Sequence, residues 1–242
     1  MIAIDAVPAA KQNKTGVEWY TYRLLKHMNE LNPELDVVLY SHRPIDFELK
    51  GKWTNKVLKW PFPGWSKIRW SLELLLARPD VIFVPGDELP SVLNGKVVTT
   101  IHDLGFRHHP EYYSDDQRKR LERAHERAVA KADRIITITD VTKNDLVNEF
   151  KVDPSKCTTI HFGYDKAMFK VRDEGDSEVA RVQSEFKIDK PYLFYVGRIE
   201  RKKGIDTLVK AFIEWKRESS LDVTEVELVL GGAPGEVGYD EV

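Results

Sequence analysis

Short apolar runs alternate along this chain with stretches in which apolar residues recur every three or four positions. The runs at residues 2–5, 37–40, 57–60, 81–84, 97–101, 134–138 and 158–161 have the length of strands. Between them lie helical patterns. Residues 17–31 place Val17, Tyr20, Leu24, Met28 and Leu31 on one stripe, and residues 65–77 repeat the pattern with Ile68, Leu72, Leu75 and Leu76 before Pro79 stops it. Two more helices are predicted over 115–132 and 141–150. Strands and helices in alternation predict an α/β fold, a parallel sheet covered by helices on both faces.

After Phe162 and Gly163 the chain turns polar, and Arg172-Asp173-Glu174-Gly175-Asp176-Ser177 reads as part of a linker. The pattern therefore divides the chain into a first domain over 1–170, a linker over 171–190 with a helix-like stretch at 178–186, and a second domain over 191–242. That second part offers a strand at 192–196, a helix at 204–218 and a strand at 226–230. One βαβ unit cannot cover both faces of its own sheet, so the second domain is expected to be incomplete within this sequence.

Composition narrows the function classes. The 242 residues carry 37 Lys and Arg against 39 Asp and Glu, which leaves no global field favouring nucleic acid. The single cysteine, Cys157, excludes an internal disulfide and sits in a strand-like run where a buried thiol is expected. A reducing, cytoplasmic setting follows. No run reaches the roughly 18 apolar residues of a membrane span, and the first strand begins at Ile2, so neither an anchor nor a signal peptide is expected. Peripheral contact with the inner face of a membrane stays open. Lys119, Arg123, Arg127 and Lys131 recur every four residues, and Trp53, Trp60, Trp65 and Trp70 alternate with Lys56, Lys59, Lys67 and Arg69. Such rows suit anionic lipid or a lipid-linked acceptor, or else a solvated face beside core tryptophans.

In an open parallel sheet, ligands bind beyond the carboxyl ends of the strands, so the residues there carry the chemistry. After the first strand, Asp5 leads to Thr15 and Gly16, and Gly16 opens a helix without a side chain, either to admit a phosphate or as a plain cap. After the fifth come His102 and Asp103: the imidazole is placed to donate to a sugar hydroxyl or to serve structure, with Asp103 holding its ring or fixing the loop. The densest signal is Tyr195-Val196-Gly197-Arg198-Ile199-Glu200-Arg201-Lys202-Lys203-Gly204, where a strand, a glycine break, cations and a helix start follow in succession. Arg198 and Lys203 beside a helix N-terminus suit a pyrophosphate; the plainer reading is a solvated basic loop.

Other chemistries lack their residues. His102, His108 and His109 do not have zinc-ligand spacing, so no metal is expected. No strand is followed by Gly-x-Gly-x-x-Gly, and no Gly-x-Ser-x-Gly elbow or Gly-Lys-Ser/Thr phosphate loop occurs, so no cofactor is expected.

Ile4-Asp5 with Thr15-Gly16-Val17 and Tyr20-Thr21-Tyr22, then 99–104 with His102-Asp103, Ala132-Asp133-Arg134, Ile160-His161-Phe162-Gly163 and 195–204 fall in the order found in retaining GT-B glycosyltransferases of family four. The chain resembles that family over nearly its whole length. The resemblance implies two Rossmann-like domains with a nucleotide sugar, UDP- or GDP-linked, in the cleft between them, and metal-independent transfer to a glycan or lipid-linked acceptor. It implies that Gly16 lies near the donor diphosphate, that Gly197, Arg198 and Lys203 bind it, that His102 with Asp103 faces the donor sugar, and that Gly231 and Gly232 lie close to the nucleotide. On this basis His102, Arg198 and Lys203 are the expected catalytic residues. The family's two glutamates with seven residues between them do not occur here, and are expected beyond Val242. A GT-B sugar-nucleotide epimerase and an inactive sugar-nucleotide-binding fragment remain the alternatives. The sequence leaves the donor, the acceptor and the oligomeric state unread.

Overall fold

The computed structural model describes residues 1–173, 175–219 and 225–235. Glu174 of the expected linker, and 220–224 and 236–242 of the expected second domain, lie outside the described residues. The chain forms two compact units, 1–108 with 115–163 and 109–114 with 164–242.

The first unit holds a seven-stranded sheet of β1 (Ile2–Asp5), β2 (Val37–Ser41), β3 (Trp53–Val57), β4 (Val81–Val84), β5 (Lys96–Ile101), β6 (Arg134–Thr137) and β7 (Cys157–Thr159). All pairs are parallel, in the order β3-β2-β1-β4-β5-β6-β7. The reversal beside β1 is the switch that opens a crevice at the carboxyl ends of such sheets. The covering helices are α1 (Gly16–Leu31), α2 (Ser71–Ala77), the turn α3 (Gly105–His108), α4 (Asp115–Lys131) and α5 (Asp140–Glu149). Ile4, Leu25, Val37, Leu39, Trp53 and Phe83 share one core cluster. Cys157 is buried in β7, and burial pushes its thiol pKa up.

Three expectations are corrected. The third strand is 53–57, not 57–60. Its register sets Trp53 beside Val37 and Val57 beside Ser41, and Asn55 Nδ2 donates to the Leu39 carbonyl and Ser41 Oγ, both at 2.9 Å. An edge strand with one buried face reads Trp-Thr-Asn-Lys-Val rather than as an apolar run. Helix α1 turns Thr21, Leu25 and Asn29 to the core, while Val17 and Leu31 are exposed. Asn29 is retained there because it exchanges two hydrogen bonds with the backbone of Lys50, each 2.9 Å.

The third correction is the largest. Residues 66–77 begin as a π turn, Ser66–Trp70, closed by the Trp70 N–H on the Trp65 carbonyl at 2.9 Å, and continue as α2. The expected core stripe of Ile68, Leu72, Leu75 and Leu76 is exposed; Trp70, Ser71, Glu73 and Leu74 face inward instead. Trp70 decides this, because its indole packs between Tyr40 and Trp65 at 6.2 and 5.9 Å, and Ser71 Oγ accepts from the Ser91 N–H while donating to the Ser66 carbonyl. A helix apolar all round can bury only one face on a sheet.

The second unit contains α6 (Ser177–Phe186), capped by Asp176 on the Glu178 N–H, and a two-stranded parallel sheet of β8 (Tyr192–Val196) and β9 (Glu227–Gly231). The helix α7 (Ile205–Glu218) connects them and buries Ile205.

Candidate functional site

Within the first unit the residues following β1 and β5 form a strand-end cluster. The Asp5 carboxylate accepts from the Val7 N–H at 2.9 Å, a turn that carries the chain away from the sheet. Thr15 and Glu18 form a reciprocal capping box at the start of α1, and Lys11 holds Glu18 at 2.7 Å. Gly16 has open space where a side chain would be, with no atom of the described residues within 4 Å of an added methyl. One turn on, the Tyr20 hydroxyl meets Thr100 Oγ1 at 3.1 Å.

His102 stands at the end of β5. Its Nε2 lies 3.3 Å from the Pro85 carbonyl, and Tyr20 and Phe162 pack on its ring at 5.0 and 6.0 Å. Burial lowers the imidazole pKa, so the ring is neutral at pH 7; the Pro85 bond assigns its proton to Nε2 and leaves Nδ1 as an acceptor. The Thr142 hydroxyl donates to the His102 carbonyl at 3.1 Å, which ties β5 to α5. Asp103 fixes the loop: its carboxylate accepts from the Gly105 N–H at 2.8 Å and starts α3. Tyr20 and Phe162 belong to this cluster although the sequence reading gave Tyr20 to the core stripe. A tyrosine one turn after the helix-opening Gly16 was the available signal.

Asp5 is the strained group of the cluster. Desolvation pushes its pKa up to about 6, against an ordinary carboxyl near 4. Between those values the folded chain binds more protons than the unfolded one, so this group's contribution falls as pH rises from about 4 to 6. Above pH 6 the buried carboxylate costs about 3 kcal/mol. Asp5→Asn keeps the acceptor for Val7 and removes the charge. Chemical denaturation should show a gain of about 2–3 kcal/mol at pH 7 and none at pH 4; equal stability at both pH values would refute the buried-charge account.

In the second unit the loops after β8 and β9 stay paired. The Gly197 N–H donates to the Gly231 carbonyl at 3.0 Å, Ile199 to Ala233 at 2.9 Å and Gly235 to Ile199 at 2.9 Å. Gly232 lies so close to Gly197 that an added methyl would overlap the Gly197 carbonyl oxygen. Two of the expected site glycines thus touch backbone to backbone. Arg201–Lys203 make one 3-10 turn, and Gly204, at φ 67°, turns the chain into α7. No side chain caps α7, whose first turn follows the run of cations directly in sequence.

The sequence reading passed over Glu200. Its carboxylate is buried, with Arg198 at 3.9 Å and Lys202 at 3.5 Å, while Oε1 makes no hydrogen bond among the described residues. Lys202 also lies over the Tyr113 ring at 5.2 Å. Among the described residues Lys203 has no carboxylate within ion-pair distance, which distinguishes it from Lys202. An acid inside a run of four cations was the signal for Glu200.

Residues 14–167 match the family model of Glycosyltransferase Family 4, and this span contains Gly16, His102 and Asp103. A D-inositol 3-phosphate glycosyltransferase of Actinosynnema mirum is 36% identical over 111 residues, which are 46% of this chain and 26% of that protein. One from a Nocardioides species is 31% identical over 111 residues. The match thus spans about a quarter of the length of these curated relatives. The fold is similar to sucrose-phosphate synthase from Thermosynechococcus elongatus, with a TM-score of 0.67 and 18% identity over 95% of this chain and 61% of that one. It is also similar to WaaG, a glycosyltransferase involved in lipopolysaccharide biosynthesis, with a TM-score of 0.65 and 14% identity over 95% and 63%. HepE from Anabaena, solved with UDP and glucose, gives 0.61 at 13% identity over 95% and 60%. The fold is α/β of the GT-B type, and the family match covers well over half of the sequence: the chain belongs to Glycosyltransferase Family 4.

Proposed function

We propose that the protein transfers a sugar from a UDP- or GDP-linked donor to a glycan or lipid-linked acceptor, with retention of configuration. The observation that carries this reading is the family match across residues 14–167, which contain the strand-end cluster around His102. HepE, of similar fold, was solved with UDP and glucose, which supports a nucleotide-sugar donor here.

In the reaction the bond from the anomeric carbon to the diphosphate oxygen breaks and its electron pair leaves with the diphosphate. The acceptor oxygen bonds to the same carbon on the same face and loses its proton. The chief catalytic need is to stabilise charge growing on the leaving group. Arg198, Lys203 and the uncapped start of α7 are the groups for that task, with Gly197 and Gly232 letting the backbone approach the nucleotide. Glu200 opposes an anion, but Arg198 and Lys202 screen it. Neutral His102, with its Nε2 proton held by Pro85, is assigned to the donor sugar, and Gly16 to the approach of the diphosphate.

Calorimetric titration with UDP and GDP sugars, together with product detection, tests this. Arg198→Ala and Lys203→Ala should each weaken donor binding about 10- to 100-fold, since a charge-assisted contact contributes about 1.5–3 kcal/mol. Lys202→Ala should have the smaller effect, because its ammonium lies nearer to Glu200, at 3.5 Å against 3.9 Å for Arg198, and Lys203 has no carboxylate within ion-pair distance among the described residues. Equal affinity in the parent and all three variants would remove the diphosphate site from this loop.

A further inference from the structure

The exposed leucines of α2 carry an inference separate from the transfer reaction and not resting on it. Four leucines occupy positions 72 and 74–76, yet only Leu74 is buried; Leu76 is 82% exposed. Ile68 extends the exposed stripe by one turn. Nearby, Phe62 is 65% exposed within Pro61-Phe62-Pro63-Gly64, a segment stiffened by two prolines. Its ring rests edge-on against Trp60 at 5.5 Å. Trp60 and Trp65 are half-buried, and each indole N–H is satisfied locally, on the Pro63 and Leu58 carbonyls. Such side chains can enter an apolar phase without stranding a donor.

Charge identifies that phase. Between Lys56 and Arg78 there are five cations and one carboxylate, Glu73. Glu73 is buried and already held by Lys56 and by Arg69 at 3.1 Å. The exposed charges of this stretch not held by Glu73, Lys59, Lys67 and Arg78, are therefore all positive, and the exposed Asp80 just beyond it is held by the N-terminal ammonium at 2.6 Å. A second copy of this chain would set them against their own kind across a two-fold axis. An anionic bilayer attracts all three, and their aliphatic stems can lie along its interface while their heads meet phosphate.

We propose that Phe62, Ile68, Leu72, Leu75 and Leu76, rimmed by Lys59, Lys67 and Arg78, dock the first unit on an anionic lipid surface. Phe62 and the outer face of α2 enter the interface, and the lysines confer the preference for negative headgroups. The buried face of α2, built on Trp70 and Leu74, stays on the sheet.

Co-sedimentation with vesicles of phosphatidylcholine alone, and of phosphatidylcholine mixed with phosphatidylglycerol, tests the proposal. The protein should pellet with the mixed vesicles, less so as salt is raised, and hardly with the neutral ones. The double variant Leu72→Ser, Leu76→Ser should lower the partition coefficient about tenfold or more. Lys59→Glu with Lys67→Glu should abolish the preference for phosphatidylglycerol, while Lys119→Glu on α4 should leave it intact. All these positions are exposed, and coincident thermal melts will confirm that the variants fold. Absence of the parent from the anionic pellet, or equal binding by the leucine variant, would overturn the proposal. So would a concentration-dependent dimer abolished by that variant in the absence of vesicle binding.

Discussion

Gly232→Ala should abolish measurable donor binding by this chain. The added methyl would occupy the position of the Gly197 carbonyl oxygen, a backbone atom that cannot rotate aside as a side-chain end can. The loops after β8 and β9 would have to part. Their separation breaks the bonds from Gly197 to Gly231, Ile199 to Ala233 and Gly235 to Ile199. At about 1 kcal/mol each, the loss is about 3 kcal/mol, or more than about 100-fold in affinity if Arg198 is carried out of place with them. Titration with a UDP or GDP sugar measures this. Hydrogen exchange should show the cause, with faster exchange at the Gly197, Ile199 and Gly235 amides and no change in β5. A variant that binds donor as the parent does would take both glycines out of the site.

His102→Ala should lower kcat by about 100-fold while KM changes only a few-fold, the pattern of a group whose contribution grows as charge develops on the sugar. The ring is preset for this: its Nε2 proton is engaged by Pro85, and Tyr20 and Phe162 wall it in. The same variant has a pH signature. Because burial lowers the folded imidazole pKa, the unfolded chain takes up a proton first as pH falls through about 6.5, and the parent loses stability there. The alanine variant lacks that loss. A kcat within twofold of the parent would confine His102 to a structural role at the end of β5.

The architecture was legible because parallel strands buried on both faces write themselves as apolar runs. Six of the seven strands of the first unit begin within one residue of the run that signals them. β3 was misread because it lies at the sheet edge, where Thr54 and Lys56 face water and Leu58, buried just beyond the strand, imitates its core. The faces of the helices were harder. In α1 the true inward positions include Thr21, which bonds back to the Val17 carbonyl of its own helix, and Asn29, whose partner is the backbone of Lys50, distant in sequence. In α2 the leucine stripe was a correct helical face, but Trp70 won the competition for the sheet through contacts with Tyr40 and Trp65 that no local spacing reveals.

The candidate site shows the same division. Gly232 came only with the family resemblance, whereas Gly197 and Arg198 could be named from the order strand, glycine, cation, an order that suits an anion-binding turn. The contact between Gly232 and Gly197 could not, since it depends on how β9 pairs with β8. Glu200 escaped for a related reason. Its significance is burial, and a carboxylate looks alike in sequence whether it is solvated or shut away.

Cys157 gives the molecule a native reporter. It is the chain's single thiol, shielded in the edge strand β7 and with its pKa raised, so an alkylating reagent finds neither access nor thiolate in the closed form. Reaction must wait for that edge to open, and its rate then counts how often the far side of the sheet parts. Ligand added to the opposite end of the strands would slow the count only by stabilising the whole sheet, which distinguishes global tightening from a local clasp without any engineered label.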